Sequence, residues 1–535
     1  MRTRWAAGVV TVGVVLAGCS GAPAGDEAAA DTLVVALSDE PDNLNPIFGD
    51  LYGSIYGDHW PIFSSLLDYG QDVELQPDLA TGMPEVSPDG RTVTVPLRDG
   101  VQWHDGEPFT ADDVVFTYGA FLDPAVATGL RDELYDSLES VRALDEATVE
   151  FRLSRMDPAF PDKLTLGIVP EHVLAGQDLN TTPFNTAPIG TGPYRFEELR
   201  GGERMVLSAN SDYYGGDVGI SRLVYSFVPD ENARASALRA GEIDVDAVGL
   251  PPRTAEETAA TDGLELVRIP GEATVLLLPQ QNPLFADPVV RDAVGLAVDR
   301  QAIAEGVFAG AARPIATPIP AGSWAASGIE TSARDVEQAR SLLDQAGWVA
   351  GPDGARARGG VPFAFPLTYS AGSATANNTA LALRDQLAEV GVDVTLEGLG
   401  FDAQSDRLGA GTATLNTQGE AYDPGLTLFR AYHSSFIADG EPFTDATQLN
   451  DPAVDSALEQ ARATLDRDQR AAAYADLEKA LVADGSFLYL VRGENSLVVS
   501  DRIQGVQPKV REAHIHGFSR GLLWNVHEWT LADAG

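Results

Sequence analysis

The chain has 535 residues, 44% hydrophobic and 21% charged, which excludes a disordered protein and is too much material for one core, so two or three lobes are expected. Its 79 acidic residues against 36 Lys and Arg give a formal charge of −43, and repulsion excludes nucleic acid and anionic lipid surfaces as partners. A single cysteine rules out an internal disulfide, so the fold must rest on its core.

The N-terminus reads as a targeting segment. Arg2 and Arg4 precede an apolar run from Trp5 to Leu16, too short to span a bilayer and suited to the hydrophobic part of a signal peptide. It ends in Leu16-Ala-Gly-Cys19, a lipobox, so residues 1-18 are expected to be cleaved and Cys19 to carry the lipid. Two acyl chains there would hold the protein at the membrane. Residues 19-30, rich in Gly, Ala, Pro and acid, read as a flexible tether.

Thr32 to Leu37 predicts a buried first strand, and a Pro/Asn/Asp loop carrying Glu40 leaves it. Tyr52 and Tyr56 follow at helical spacing as candidates for lining a pocket, with packing at a lobe surface the alternative. Val93, Val95 and Leu97 alternate with polar residues, and Thr110 with Asp113 three residues on predicts a capping box at a helix start. His104, beside Asp105 and Glu107, reads as turn packing because no second ligand cluster is near. Thr148 to Leu153 alternates as another strand.

The stretch from Asn185 to Val248 reads as a crossing point and not a linker. Gly190, Gly192, Gly215 and Gly216 permit backbone angles that other residues avoid, and Pro188 and Pro193 fix φ between them. Asp230 is placed to cap a helix with Ala233, Ala237 and Leu238 on its apolar stripe and Gly241 at its left-handed end. Ile243, Val245 and Ala247 then alternate with Asp244 and Asp246 as in a half-buried strand.

In the second half, Leu264 to Ile269 and Val275 to Leu278 read as strands, and Asp287-Pro288 caps a helix from Val289 to Ile303. Helices over 333-346 and 377-390 stop at Gly347 and Gly391, with strands at Leu367 to Tyr369 and Val392 to Leu396. Further helices begin at Asp451-Pro452, with Val454, Leu458, Ala461 and Leu465 on its apolar face, and at Arg467 with Tyr474, Leu477 and Leu481. Phe487 to Val491 is a last buried strand. This β-then-α order predicts α/β lobes with parallel or mixed sheets, and binding at the carboxyl ends of strands.

Several phrases carry a resemblance. Pro-Ile-Gly-Thr-Gly-Pro-Tyr-Arg-Phe at 188-196, Asp-Tyr-Tyr-Gly-Gly at 212-216, Ala-Gly-Glu-Ile-Asp at 240-244, the long run from Leu97 to Phe116, and the run from Val289 to Arg300 occur in order. Together they resemble the extracytoplasmic solute-binding proteins of ABC importers, family 5, which binds peptides and nickel. The resemblance implies an α/β, periplasmic-binding-protein-like fold with two main lobes joined by a two-strand hinge and an extra subdomain inserted in the first lobe. On this chain, the first-lobe core would take residues 31-50, 186-270 and 492-535, the inserted subdomain 51-185, and the second lobe 271-491.

The same resemblance implies a monomeric receptor on the extracytoplasmic face, lipid-anchored, without cofactor or metal, that delivers a small solute, a peptide above all, to permease and ATPase subunits. In peptide-binding relatives an aspartate four residues before the Pro of this region pairs with the peptide amine, and Glu420 holds that position. Tyr422, Asp423, Thr417, Gln418 and Glu40 complete the candidate contacts. Gly425 stands where nickel-binding relatives often have His, and the stretch from Tyr369 to Gly372 lacks the Arg with which dipeptide binders hold the ligand carboxylate.

No catalytic arrangement stands out. Gly517-Phe-Ser-Arg-Gly521 lies too near the C-terminus for an acid and a histidine to follow, His514 and His516 read as a surface pair, and no Walker loop or His-Glu-x-x-His is present. The alternatives are a receptor for a glycan, opine or metal chelate, and a cell-surface hydrolase. A glycan receptor would need aromatic platforms, and Trp60, Trp103, Trp324, Trp348, Trp524 and Trp529 are too dispersed to show one.

Overall fold

The computed structural model describes residues 31-48, 60-419, 421-437, 446-510 and 520-532. Cys19, Tyr52, Tyr56, Glu420 and the pair His514 and His516 lie outside them.

Two strands of 14 residues each, Leu264–Leu277 and Phe487–Ser500, form the spine. They pair antiparallel from Leu264 against Ser500 to Leu277 against Phe487. The eleven-stranded mixed sheet runs outward from them in both directions. On one side come Val245–Asp246, Thr32–Leu37, Arg222–Phe227, Arg204–Ala209 and Tyr194–Arg200. On the other lie Ala413–Gln418, Ala364–Ser370 and Asp393–Leu399. Each long strand therefore serves both lobes, and the two-strand hinge is this pair.

The register breaks between Pro270 and Ala273, a bulge that bends the ladder where the lobes meet. Buried Arg492 fixes the bend, donating to the Gly271 carbonyl at 3.0 Å and the Pro318 carbonyl at 2.5 Å. A Cβ on Gly271 would stand 2.7 Å from the Asn495 side-chain oxygen, so a larger residue here requires the Asn495 amide to swing aside.

The Asn185 to Val248 stretch is thus not the crossing. It leads from the inserted region into the outer strands of the first lobe. Asn45 and Asn185 bond side chain to side chain at 3.0 Å, tying its start to the loop after the first strand. Its first glycines serve close approach, not unusual angles. A Cβ on Gly190 would stand 1.8 Å from the Ile62 carbonyl oxygen and one on Gly192 2.6 Å from that of Pro61, while Gly192 N–H donates to Ile62 at 2.9 Å. Of the four glycines named, only Gly216 has positive φ, 115°.

His104 clamps this turn. Its Nδ1 accepts from Gly190 N–H and its Nε2 bonds the Gly192 carbonyl, both at 3.0 Å, which bears out turn packing. A neutral ring is required, since one nitrogen must accept, and burial lowers its pKa to about 4.

The helix Glu231–Ala240 is capped by Asp230 and ends at Gly241 with φ 70°, as its sequence predicts. Its buried face is Arg234, Ala235 and Leu238, so the small-residue stripe is displaced: Ala233 is exposed. Arg234 turns inward because Asp246 waits there, Nε to Oδ1 at 3.1 Å. The half-buried strand is likewise corrected. Only Val245–Asp246 pairs, between Thr32–Leu37 and Phe487–Ser500, and both aspartates are buried. Arg502 grips Asp244 through two bonds of 2.7 and 2.8 Å, so alternation of charge along this strand marks ion pairs and not solvent.

Other differences are local. Val298 is extended and Asp299 caps a second helix, so 289-303 is two helices, Pro288–Ala297 and Arg300–Gly306. Ser373 caps Ala374–Ala388 one turn earlier than expected, Val336–Gln345 is shorter than expected, and Leu465 is 39% exposed. A separate four-stranded sheet, Glu85–Val86, Thr92–Pro96, Thr148–Leu153 and Leu138–Asp145, follows the first strand, with the expected capping box at Thr110 beside it.

His104 gives a pH signature. Because its folded pKa lies below the ordinary value, it stabilises the fold above about pH 6.5, and that contribution is lost as pH falls toward about 4, to a maximum of about 3 kcal/mol. Urea midpoints measured across this range should show the loss, and His104→Gln should flatten that part of the profile.

Candidate functional site

Ala413–Gln418 runs along the second lobe with one side laddered to Leu264–Leu277, Gln418 opposite Ala273. Its other side is paired only at Ala413 and Thr414, with Leu367 and Thr368. Gln404 covers the next carbonyl on that side, its Nε2 donating to Leu415 at 2.9 Å. Because backbone groups alternate along a strand, the N–H and C=O of Thr417 face the same side, beyond the last paired residue. Thr417 is exposed there. The Gln418 side chain is already engaged, accepting from the Tyr489 hydroxyl at 2.6 Å.

The chain then crosses to the first lobe. Tyr422 is 3% exposed and meets Tyr69 edge to face at 4.4 Å between ring centres. Asp423 caps the short turn Pro424–Leu426 through Gly425 N–H at 2.7 Å. Arg470 grips the same carboxylate with bonds of 2.9 and 2.5 Å. Burial alone would lower the Arg470 pKa, but the Asp423 charge more than offsets it and the guanidinium is held above its ordinary value.

Facing this pair from the first lobe is Asp162, whose Oδ1 accepts from the Tyr69 hydroxyl at 2.5 Å. Burial first, then the negative charge of Asp423, pushes the Asp162 carboxyl up to about 8. Around these groups lies a crevice of about 230 Å³, lined among others by Tyr69, Asp162, Trp324, Tyr422 and Asp423. Arg467 spans it to Glu74 at 3.1 Å, and the Arg467 and Arg470 guanidiniums each lie 4.9 Å from the Trp324 ring centre. Lys509 Nζ sits 5.7 Å from Tyr422 and 5.9 Å from Tyr69.

The structure thus brings Tyr422 and Asp423 together at the lobe interface and sets Thr417 and Gln418 on the strand that leads there. Glu40 does not join them: its carboxylate accepts from Gly202 N–H at 2.5 Å, at the turn between Tyr194–Arg200 and Arg204–Ala209. Sequence reasoning missed Tyr69, Asp162 and Arg470 and named Trp324 only among six dispersed tryptophans; the four come from four separated segments. One signal was available. Arg470 lies on the same helical stripe as Tyr474, Leu477 and Leu481, and an arginine on an apolar stripe calls for a buried carboxylate.

Of the six tryptophans considered as platforms, Trp324 alone lines the crevice, and Trp103, Trp348 and Trp529 are fully buried. Gly425 is closely surrounded: a Cβ there would stand 3.0 Å from Asp423 and 3.1 Å from both Ala159 and Arg470, contacts that these side chains would relax by a few tenths of an ångström. Among the described residues no group of three or more His, Cys, Asp or Glu could hold a metal, and no helix is long and apolar enough to cross a membrane.

Two α/β lobes on a shared pair of strands, with a crevice between them, define the periplasmic-binding-protein class of solute receptors. Residues 74–450 match the model of bacterial extracellular solute-binding proteins, family 5 middle, and the chain belongs to that family, whose members serve ABC importers. It is 36% identical to Protein XP55 of Streptomyces lividans over 94% of both chains. To the oligopeptide-binding protein AppA of Bacillus subtilis it is 26% identical, over 98% of this chain and 97% of that one. Among solved structures, NikZ from Campylobacter jejuni in complex with Ni(L-His) superposes with a TM-score of 0.83 at 28% identity, covering 94% of this chain and 99% of that one.

The Asp423–Arg470 pair offers a direct check. Arg470→Met leaves a buried carboxylate without its cation and is expected to cost about 3–5 kcal/mol, read by urea denaturation. Replacing both partners with apolar residues should recover much of that loss.

Proposed function

We propose that this protein is a lipid-anchored receptor on the extracytoplasmic face of the membrane that captures peptides, oligopeptides above all, between its lobes and delivers them to an ABC permease without altering them. The observation that carries this reading is the backbone edge at Thr417, which continues toward the interlobe crevice. An extended peptide adds to such an edge through main-chain hydrogen bonds that read no side chain, which suits a receptor of broad specificity. The relation to an oligopeptide-binding protein supports the same reading.

In this mechanism Glu420 pairs with the peptide amine, as the family resemblance implies. A carboxylate and an ammonium closed into a cleft stabilise each other, and leaving either unpaired costs about 3–5 kcal/mol. Cys19 supplies the lipid anchor, one monomer serves one permease complex, and no resident cofactor takes part. A metal-chelate receptor is the second reading, on the likeness to NikZ, and Gly425 in place of the His that nickel-binding relatives often carry weighs against it.

Mass spectrometry of ligand released from purified protein by denaturation tests the class. Peptides are expected; a nickel chelate or a glycan in their place, or turnover of added peptides, would overturn the reading. With an identified peptide, Glu420→Ala should weaken binding by about 100-fold or more. Cys19→Ser should release the protein from the membrane fraction.

A further inference from the structure

The interlobe crevice carries chemistry that main-chain capture at Thr417 does not use. Its lining includes four carboxylates, those of Asp72, Glu74, Asp162 and Asp423, and one guanidinium, that of Arg467. Arg470 grips Asp423 with two bonds, and Arg467 reaches Glu74. Asp72 is exposed to water. Asp162 differs from all three. It is 9% exposed, its Oδ1 accepts from the Tyr69 hydroxyl at 2.5 Å, and among the described residues no cation bonds it. Lys163, next in sequence, bonds Asp157 at 2.6 Å, and Arg520 bonds Asp68, beside Tyr69, at 2.6 Å. Lys509 lies against the Tyr69 and Tyr422 rings. The second oxygen of Asp162 is not among the atoms sealed in the interior without a partner, so it opens onto the crevice that the residue lines.

The other walls are aromatic, from Tyr69, Tyr422 and Trp324. Ring faces attract cations, and the chain's own side chains show it: Arg467 and Arg470 each lie 4.9 Å from the Trp324 ring centre. A desolvated carboxyl beside such rings suits a guest that brings positive charge and N–H donors together. An anion would be repelled, and an apolar group would seal off an acid oxygen without a donor. Size narrows the guest further. The volume of about 230 Å³ is below the roughly 300 Å³ at which pockets for whole drug-sized ligands begin, so the crevice suits a side chain or a small amine.

We propose that this crevice is a cation subsite taking one ammonium or guanidinium group, with Asp162 as its counter-charge and Tyr69, Tyr422 and Trp324 as its walls. The group is a lysine or arginine side chain of a captured peptide, a source that rests on the receptor reading; a free alkylamine supplies the same chemistry without it. Binding exchanges a proton. Burial above all pushes the Asp162 carboxyl up to about 8, so near about pH 7 it is mostly protonated, and an arriving cation favours the ionised form. The carboxyl O–H bond breaks, the proton passes to solvent, and the carboxylate and the cation remain as a pair.

The test is isothermal titration calorimetry on the full chain, freed of ligand by denaturation and refolding. Alanine pentapeptides with a lysine placed at each position in turn are compared with the same peptides carrying norleucine. At one position or more, lysine should bind about 10-fold tighter, releasing about one proton near neutral pH, read from buffers of different ionisation enthalpy. Asp162→Asn should erase both the preference and the proton release. Trp324→Leu removes a ring and no charge, and should weaken the lysine peptides more than the norleucine ones; it decides the matter if Asp162→Asn does not fold. n-Butylamine against n-butanol tests the free-amine source, with saturable heat expected from the amine alone and lost in Asp162→Asn. Equal binding of lysine and norleucine peptides, with no heat from n-butylamine, would overturn the subsite and leave the peptide receptor standing. A lysine preference that survives in both variants would overturn it as well. Heat from n-butylamine with no lysine preference would uphold the subsite and make a free amine its source, and if no pentapeptide binds at all it would also count against the peptide reading. Silence from every probe would overturn both.

Discussion

Everything in this molecule depends on two long strands being common property. A strand that ended at Ile269 would leave separate domains on a linker, free to tumble. Running the ladder on to Leu277, against Phe487 to Ser500, gives the lobes one shared pair of strands, interrupted by two register shifts. The ladder is irregular at two places, between Pro270 and Ala273 and between Thr274 and Val275, and an irregular ladder bends more readily than a regular one. At the first of these Arg492 donates to the Gly271 carbonyl across the bulge. Bending there costs few hydrogen bonds, whereas sliding would break the register on both sides.

A second theme is that a strongly acidic chain handles its interior carboxylates one at a time. Asp244, Asp246 and Asp423 are each met by an arginine from a different element, Arg502, Arg234 and Arg470. These pairs contribute specificity more than net stability, because desolvation offsets much of the Coulomb gain. They fix which strand lies beside which, and which turn docks on which helix. Among the described residues, other buried acids have no arginine bonded to them: Asp162 accepts from the Tyr69 hydroxyl, Asp113 from the Trp103 indole and backbone N–H groups, and Glu478 from the N–H groups of Ile319 and Ser327.

Much of the architecture could be read from residues alone. Caps at Thr110, Asp230, Asp287 and Asp451 and left-handed glycines such as Gly241 are local effects, and local chemistry decides them. The errors share a cause in tertiary pairing. Asp244 and Asp246 look like a solvent face because their arginines, Arg502 and Arg234, cannot be identified from pattern. Gly190 and Gly192 look like turn formers because the carbonyls they avoid belong to residues more than a hundred positions earlier in the chain. The crevice was partly legible. The Tyr422-Asp423 segment was found from a family phrase, but Tyr69, Asp162, Trp324 and Arg470 meet it only after folding.

The shared spine also dictates the order in which the chain can finish folding. Val245–Asp246 needs Phe487–Ser500 as its neighbour, and Leu264–Leu277 needs it along its whole length. During synthesis, or on emergence from a secretion pore, both lobes therefore carry an unzipped edge until nearly the last residues arrive. Such exposed edges invite association with other chains. A nascent molecule truncated before Phe487 would be incomplete in both halves at once, so premature termination here yields no intact half-receptor, only a substrate for quality control.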